Sequence, residues 1–209
     1  MEGFLLRWRP KESKQRLEDI HRMATRKIVT KEDPILKMKS RPVKKFNEHL
    51  GQLLDDMAET MYADNGVGLA AVQVAVLRRA IVVDVGDGLI ELINPEILKQ
   101  SGRQTEMEGC LSLPGEYYET IRPAKMTVKA QDRYGDWHTY QVEGFKAQCF
   151  SHEIDHLDGI LFTQRLNPNP KSQEEWEEIY RMRRAEKAAK EQDLSDIKVV
   201  RRNTEDANV

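Results

Sequence analysis

At 209 residues, with 39% hydrophobic and 33% charged residues, the chain suits one soluble domain with a sizeable core and polar tails. Its formal net charge of −2 gives no global electrostatic drive toward DNA or a membrane surface. Two cysteines, Cys110 and Cys149, lie far apart and outside any Cys-x-x-Cys pattern, which excludes a disulfide framework and fits a reducing compartment where a thiol can ligate a metal.

In chain order, residues 1–26 read as a charged extension. Phe4-Leu5-Leu6 is interrupted by Arg7 and Arg9, so no signal-peptide core is expected. No stretch approaches the roughly 20 apolar residues of a membrane span. Glu12, Glu18 and Asp19 argue against an organellar transit peptide, leaving the cytoplasm as the expected compartment ahead of an organelle. Residues 1–50 are biased toward Lys and Arg, with Arg7, Arg9, Lys11, Lys44 and Lys45 among them. A solvated basic surface is the plainer reading, docking on an RNA-rich partner the sharper one.

Pro34 and Pro42 punctuate an extended stretch. Phe46, Leu50, Leu53, Leu54, Met57 and Met61 then recur at helical spacing, predicting an amphipathic helix over about 44–63 that ends at Asp64-Asn65-Gly66. Arg79–Val85 and Leu89–Ile93 flank Gly86-Asp87-Gly88 as a hairpin, and Met126–Gln131 with Trp137–Val142 form a second pair. The stretch between them, Glu108-Gly109-Cys110-Leu111-Ser112-Leu113-Pro114-Gly115 included, reads as loop-rich. A helix is predicted from Phe145 to Leu157, stopping near Gly159. Ser172 and Glu175 form a capping box at the start of a last helix with Trp176, Ile179 and Tyr180 on its apolar face. Residues from 192 onward are polar and expected to be disordered. Paired antiparallel strands with helices not interleaved predict an α+β domain.

The sharpest feature is His152-Glu153-Ile154-Asp155-His156. Two histidines four apart share one helix face and can reach a single ion, while Glu153 can reach a metal-bound water without being a ligand. A surface helix with coincidental residues would also produce these five letters. Catalytic metal sites want a third protein ligand. Cys149, Cys110, Glu174 and Glu175 all compete for that place, and spacing does not choose among them. Cys149 is by default a small buried core residue, and a loop thiolate at Cys110 can approach from outside the helix. Gly66-Val67-Gly68-Leu69-Ala70-Ala71-Val72-Gln73 is not a dinucleotide fingerprint, because no strand leads into it and Ala71 stands where a third glycine is required. Its small residues would let a peptide backbone approach.

Residues 66–73, Glu108-Gly109-Cys110-Leu111-Ser112 and residues 152–156 together resemble the three motifs of the peptide deformylases, in that family's order. Asp33-Pro34-Ile35-Leu36, Ile93-Asn94-Pro95 and Asp158-Gly159-Ile160-Leu161-Phe162 are similar too, so the resemblance spans about 27–165. It implies antiparallel or mixed sheets around a central helix carrying the two histidines, with an N-terminal and a C-terminal helix. The implied division is an extension over 1–26, a catalytic domain over 27–170, and a helix and tail over 171–209. It also implies Cys110, His152 and His156 as metal ligands, Fe²⁺ as the physiological ion and Zn²⁺, Ni²⁺ or Co²⁺ as replacements. Glu153 would move the proton in hydrolysis of N-formylmethionyl peptides, and the Gln73 amide and Leu111 N–H would stabilise the oxyanion. Peptide backbone would pair near Val67-Gly68 and Gly109, and Val67, Phe145 and Cys149 would line the methionine pocket. Tyr117 stands at a substrate position that is arginine in some members and aromatic in others. Departures from the pattern are Val72 for a frequent proline, Gln148 for an apolar or basic residue, and Ser151 for a glutamine. Basic residues Arg181, Arg183, Arg184, Lys187 and Lys190 form a solvated charged face on the plainer reading and would suit a surface facing the ribosome on the sharper one.

Overall fold

The computed structural model describes residues 25–186, 188 and 189. Nearly all of the charged extension, Lys187, Lys190 and the polar tail from 192 lie outside the described residues. The chain divides into two compact units, residues 1–167 and 168–209.

In the first unit, Asp33 accepts from the Ile35 N–H and starts a 3₁₀ turn, Pro34–Lys37, where an extended segment was expected. Proline's fixed φ suits the first position of such a turn. Helix α1 spans Glu48–Ala63. It begins four residues later than the apolar spacing suggested, because the extended Asn47 caps it by accepting from the Leu50 N–H at 3.2 Å.

Five strands form one antiparallel sheet: β1 (Gly68–Ala70), β2 (Ala80–Val83), β3 (Ile90–Ser101), β6 (Lys125–Gln131) and β7 (Trp137–Glu143), in that spatial order. Both expected hairpins are present. The loop-rich reading of the stretch between them is corrected: it holds a second, two-stranded sheet, β4 (Gln104–Cys110) and β5 (Leu113–Arg122). Strand β3 also runs on past Asn94-Pro95. Asn94 takes φ 52°, and the register shift there absorbs the proline that would otherwise end the strand.

Helix α2 spans Gly144–Leu157 and packs on β1, β2 and β7. The helices take opposite faces of the sheet, and β2 shows why all four of its residues are apolar. Ile81 and Val83 join Phe150, Ile154 and Leu157 of α2 in one core, while Ala80 and Val82 join Leu54, Met57 and Met61 of α1 in the other. Helix α2 is therefore pinned along its length, which fixes the direction of every side chain it presents.

The second unit carries a helix from residue 173 through 186. The expected capping box is formed: the Ser172 N–H donates to the Glu175 carboxylate at 2.7 Å, and the Glu175 N–H donates to the Ser172 hydroxyl at 3.2 Å. Trp176 and Tyr180 stack with ring centroids 5.5 Å apart.

Helix α2 ends in a Schellman motif, with Gly159 N–H donating to His156 C=O and Ile160 N–H to Asp155 C=O. Gly159 has φ 74°, and a Cβ there would stand 2.5 Å from the Lys37 carbonyl oxygen. Gly159→Ala is expected to cost about 2 kcal/mol or more, combining left-handed strain with a backbone clash. Gly51→Ala, in a helix with open space around it, is expected to add about 0.5–1 kcal/mol. Urea unfolding of both variants measures the contrast.

Candidate metal centre

Residues 147–157 of α2 are all buried, so its two histidines face the interior. Their i, i+4 spacing brings His152 Nε2 and His156 Nε2 to 3.2 Å of each other. Cys110 closes the group: its Sγ lies 3.2 Å from His156 Nε2, and all three ligand atoms lie within 4.8 Å of one another. Among the described residues this is the one such convergence of three His, Cys or acidic groups. A tetrahedron with bonds of about 2.0–2.3 Å has edges of about 3.3–3.7 Å, so these donors fit a single divalent ion.

Cys110 does not sit in a loop, as the sequence suggested, but at the end of β4, where a register shift after Gly109 turns the strand toward α2. The other candidates for third ligand are not part of this group among the described residues. Cys149 is outside the cluster, and burial pushes its thiol up to about 12, with the nearby Glu153 and Glu108 charges adding to the effect. Glu175 is engaged in its capping box, and Glu174 lies in the second unit with it.

Around the cluster stand three more of the expected residues. Burial pushes the Glu153 carboxyl up to about 7, against an opposing pull from His152, and its Oε2 is buried with no partner among the described residues. A cation held by the cluster would draw that value back down. Gly68 makes room for this carboxylate, since a Cβ there would meet Glu153 Oε1 at 2.5 Å. Gln73 is buried with its amide orientation set: Oε1 accepts from the Ala70 N–H at 2.8 Å, so Nε2 faces Ser112 Oγ at 3.2 Å and Cys110 Sγ at 3.6 Å. Leu111 follows Cys110 in the turn joining β4 to β5, packed against Gly66, where a Cβ would meet it at 2.8 Å.

A buried ionic chain behind His152 went unread in the sequence. Glu108 lies against His152 Nδ1 at 2.5 Å, which directs the other ring nitrogen to the cluster. The Arg122 guanidinium donates to both Glu108 oxygens and to Asp155, and Arg165 holds Asp155 through both of its oxygens at 2.9 and 3.0 Å. Burial alone would raise the Glu108 carboxyl, but the hydrogen bonds from His152 and Arg122 outweigh it and hold it well below the usual range. Glu108 was visible only as the first letter of a motif; Arg122 and Arg165 lie on other segments with no local signal.

The expected peptide-binding positions are strand edges. Asp84 N–H donates to Val67 C=O at 3.0 Å while Gly68 stands opposite Val83, so that pair exchanges no hydrogen bonds and the Gly68 N–H and C=O point outward. Strand β1 is the end of its sheet. On β5, Ile121 N–H and Glu119 C=O bond residues 165 and 167 instead of β4, so by alternation Gly109, opposite Tyr117, also turns its N–H and C=O away from its partner. The Tyr117 ring lies over Gly109, where a Cβ would meet it at 2.5 Å. Val67, Tyr117 and Phe145 are exposed apolar side chains, while Cys149, one turn after Phe145, is buried.

A soft-plus-imidazole ligand set, a buried carboxylate, an oriented amide and two outward-facing backbone edges are what a metal-assisted hydrolase of peptides needs. Known proteins agree. The sequence model of the family described as polypeptide deformylase matches residues 25–172. The peptide deformylase of Caldicellulosiruptor bescii is 56% identical over 144 residues, 69% of this chain and 87% of that protein. That of Carboxydothermus hydrogenoformans is 54% identical over 145 residues, 69% of this chain and 95% of that protein. Among solved structures, the Thermotoga maritima peptide deformylase gives a TM-score of 0.69 at 41% identity, over 69% of this chain and 99% of that one. The Ehrlichia chaffeensis peptide deformylase in complex with actinonin gives 0.68 at 37% identity, over 69% and 90%. Sequence, fold and ligand set thus agree that the chain belongs to the polypeptide deformylase family, metal-dependent hydrolases that remove the N-formyl group from the N-terminal methionine of nascent polypeptides.

Proposed function

We propose that this chain deformylates with Cys110, His152 and His156 as the ligands of one divalent ion and Glu153 as its proton-transfer group. The observation that carries this assignment is the convergence of three ligand atoms beside a buried carboxylate oxygen with no partner among the described residues. When bound, the ion supplies Lewis-acid polarisation of the formyl carbonyl and a water acidic enough to react near neutral pH. Glu153 takes the proton from that water as it adds to the formyl carbon, and returns it to the amine nitrogen as the C–N bond breaks. Gln73 Nε2 and the Leu111 N–H receive the negative charge that develops on the formyl oxygen. The fixed Gln73 orientation supports that role, because the amide needs no reorganisation during the reaction. Formate and a free N-terminal methionine leave.

The peptide backbone is read at the open edges of Gly68 and Gly109, by strand addition. Val67, Tyr117, Phe145 and Cys149 form the apolar surroundings of the first side chain. Fe²⁺ is the proposed physiological ion, with Zn²⁺, Ni²⁺ or Co²⁺ able to replace it, since a Cys/His/His set accepts several borderline ions and availability selects among them. The catalytic unit is taken as 27–170, with 1–26 and 171–209 as appendages. The cytoplasm is the proposed compartment. Two free cysteines, and the absence among described residues of any helix long and apolar enough to cross a membrane, are compatible with it. Exposed Arg181, Arg183 and Arg184 on the C-terminal helix support placement beside ribosomal RNA.

Anaerobically purified protein is expected to release formate from formyl-Met-Ala-Ser. Glu153→Ala should lose about 100-fold or more in kcat while keeping one metal per chain. Cys110→Ser should lose both activity and metal. A fully metallated wild type that leaves the formyl group in place would refute the assignment.

Thiol labelling separates the cysteines. With its thiol at about 12, Cys149 has on the order of one ten-thousandth thiolate at pH 8. Iodoacetamide at that pH should therefore modify Cys110 alone in metal-stripped native protein, and Zn²⁺ should protect it. Mass spectrometry finding Cys149 modified first would reverse the assignment. For the C-terminal helix, truncation at about residue 180 is expected to weaken co-sedimentation with ribosomes at low salt, and unchanged sedimentation would remove the ribosomal role.

A further inference from the structure

Residues from the 41–53 segment, with Val76 and Arg78, line a cleft of about 720 Å³ that shares no residue with the metal cluster, with Glu153 and Gln73, or with the edge glycines. Its floor is apolar, with Val43, Leu50 and Leu53. Its rim carries Arg41, Lys44, Lys45 and Arg78, all exposed. No acidic residue lines it, and none of the four cations pairs with a carboxylate among the described residues. Exposed Glu48, in the first turn of α1, forms no ion pair with them. By contrast Arg26, Arg79, Arg122, Arg133 and Arg165 each hold a carboxylate.

The backbone keeps this charge concentrated. Arg41 and Arg78 are partners in a β-bridge, with Arg41 N–H donating to Leu77 C=O at 3.3 Å and Arg79 N–H to Arg41 C=O at 2.9 Å. Like charges held side by side without a counter-charge are unfavourable, and an arriving anion removes the penalty. The N-terminal end of α1 opens on the same cleft through Asn47 and His49, adding the positive end of a 16-residue helix.

We propose that this cleft docks the phosphodiester backbone of RNA. Arginine forks and lysine point charges both suit phosphate, and four cations along one rim match a chain of phosphates better than a single anion. Among the described residues no Phe, Tyr or Trp lines the cleft and His49 is its one ring, so there is no run of stacking platforms and the binding follows charge and shape instead of sequence. The surface lies within the catalytic unit and is distinct from the basic C-terminal helix. It holds the enzyme to an RNA-rich particle by a second point, on the body that carries the active site.

The test uses the full-length chain and a fluorescein-labelled 20-base-pair RNA, with anisotropy read from 50 to 200 mM salt. Wild type is compared with Lys44→Gln/Lys45→Gln/Arg78→Gln and with Arg181→Gln/Arg184→Gln. The cleft variant should bind at least about tenfold more weakly at 50 mM salt, with the log–log salt slope reduced by about two to three. Its deformylation of formyl-Met-Ala-Ser should match wild type, which also reports that it is folded. Equal binding by the cleft variant, complete loss in the C-terminal variant, or no salt-dependent binding by wild type would each overturn the proposal. Tighter binding of a 20-residue polyglutamate than of RNA would overturn it as well and give the cleft to an acidic protein.

Discussion

A buried histidine proposed to hold a metal must keep its ring from turning and present the right nitrogen, and here both requirements fall on the contact between Glu108 and His152. Glu108 is 5% exposed, and a carboxylate so placed would ordinarily take up a proton. It stays ionised because His152 hydrogen-bonds it and Arg122, itself 3% exposed, grips both of its oxygens. Arg122 would in turn be an isolated buried cation without Asp155, and Asp155 is met from the surface side by Arg165. The signs alternate from Glu108 outward through Arg122 and Asp155 to Arg165, so the four charges cancel and each member is satisfied by the next. Removing an inner member would strand a buried charge, which is typically more damaging than the worth of the pair itself.

That arrangement also explains the two-stranded sheet. Glu108 is on β4, while Thr120 and Arg122 are on β5, and all three side chains converge because the β4–β5 register puts residues 106 and 108 opposite 120 and 118. The same pairing delivers Cys110 to the histidines. One hairpin thus carries Cys110 and the group that orients His152, and the ionic chain ties that hairpin to α2. Coordination and charge pairing are alternative views of one junction between a hairpin and a helix.

The parts of this site legible in the sequence are those whose geometry is local. His152, Glu153 and His156 follow from the 3.6-residue period, and the helix α1 face and both outer hairpins follow from apolar spacing. The β4–β5 hairpin was read as loop because Gly109, Pro114 and Gly115 are turn residues by habit. Here Gly109 is a strand residue covered by the Tyr117 ring, and Pro114 sits on β5 without ending it. Cys110 could not be chosen over Cys149 by spacing, since its approach depends on a register shift that leaves no trace in composition. The Glu108–Arg122–Asp155–Arg165 chain was illegible for a plainer reason: its successive members are 10 to 33 positions apart, and nothing periodic links them. The roles of Gly66 and Gly68 are clearer in three dimensions too, being the absence of atoms where Leu111 and Glu153 must pass.

Two departures from the family pattern gather at this same junction. Ser151 places its hydroxyl 3.3 Å from Arg122 Nη1, and Gln148 places Nε2 3.4 Å from Glu108 Oε2, with a longer approach to the Met107 carbonyl at 3.5 Å. Neither side chain touches a ligand atom. Both adjust the polar surroundings of the buried pair, where a small hydroxyl or a carboxamide can be accommodated because the guanidinium and carboxylate have hydrogen-bonding capacity to spare. Gln148 does this incompletely, since the orientation that serves Glu108 leaves its Oε1 buried with no partner among the described residues. An unmet acceptor of that kind costs about 1–3 kcal/mol. A shorter apolar residue would avoid the penalty, so the structure tolerates a local loss at Gln148 in exchange for one more donor on the carboxylate that holds His152 in place.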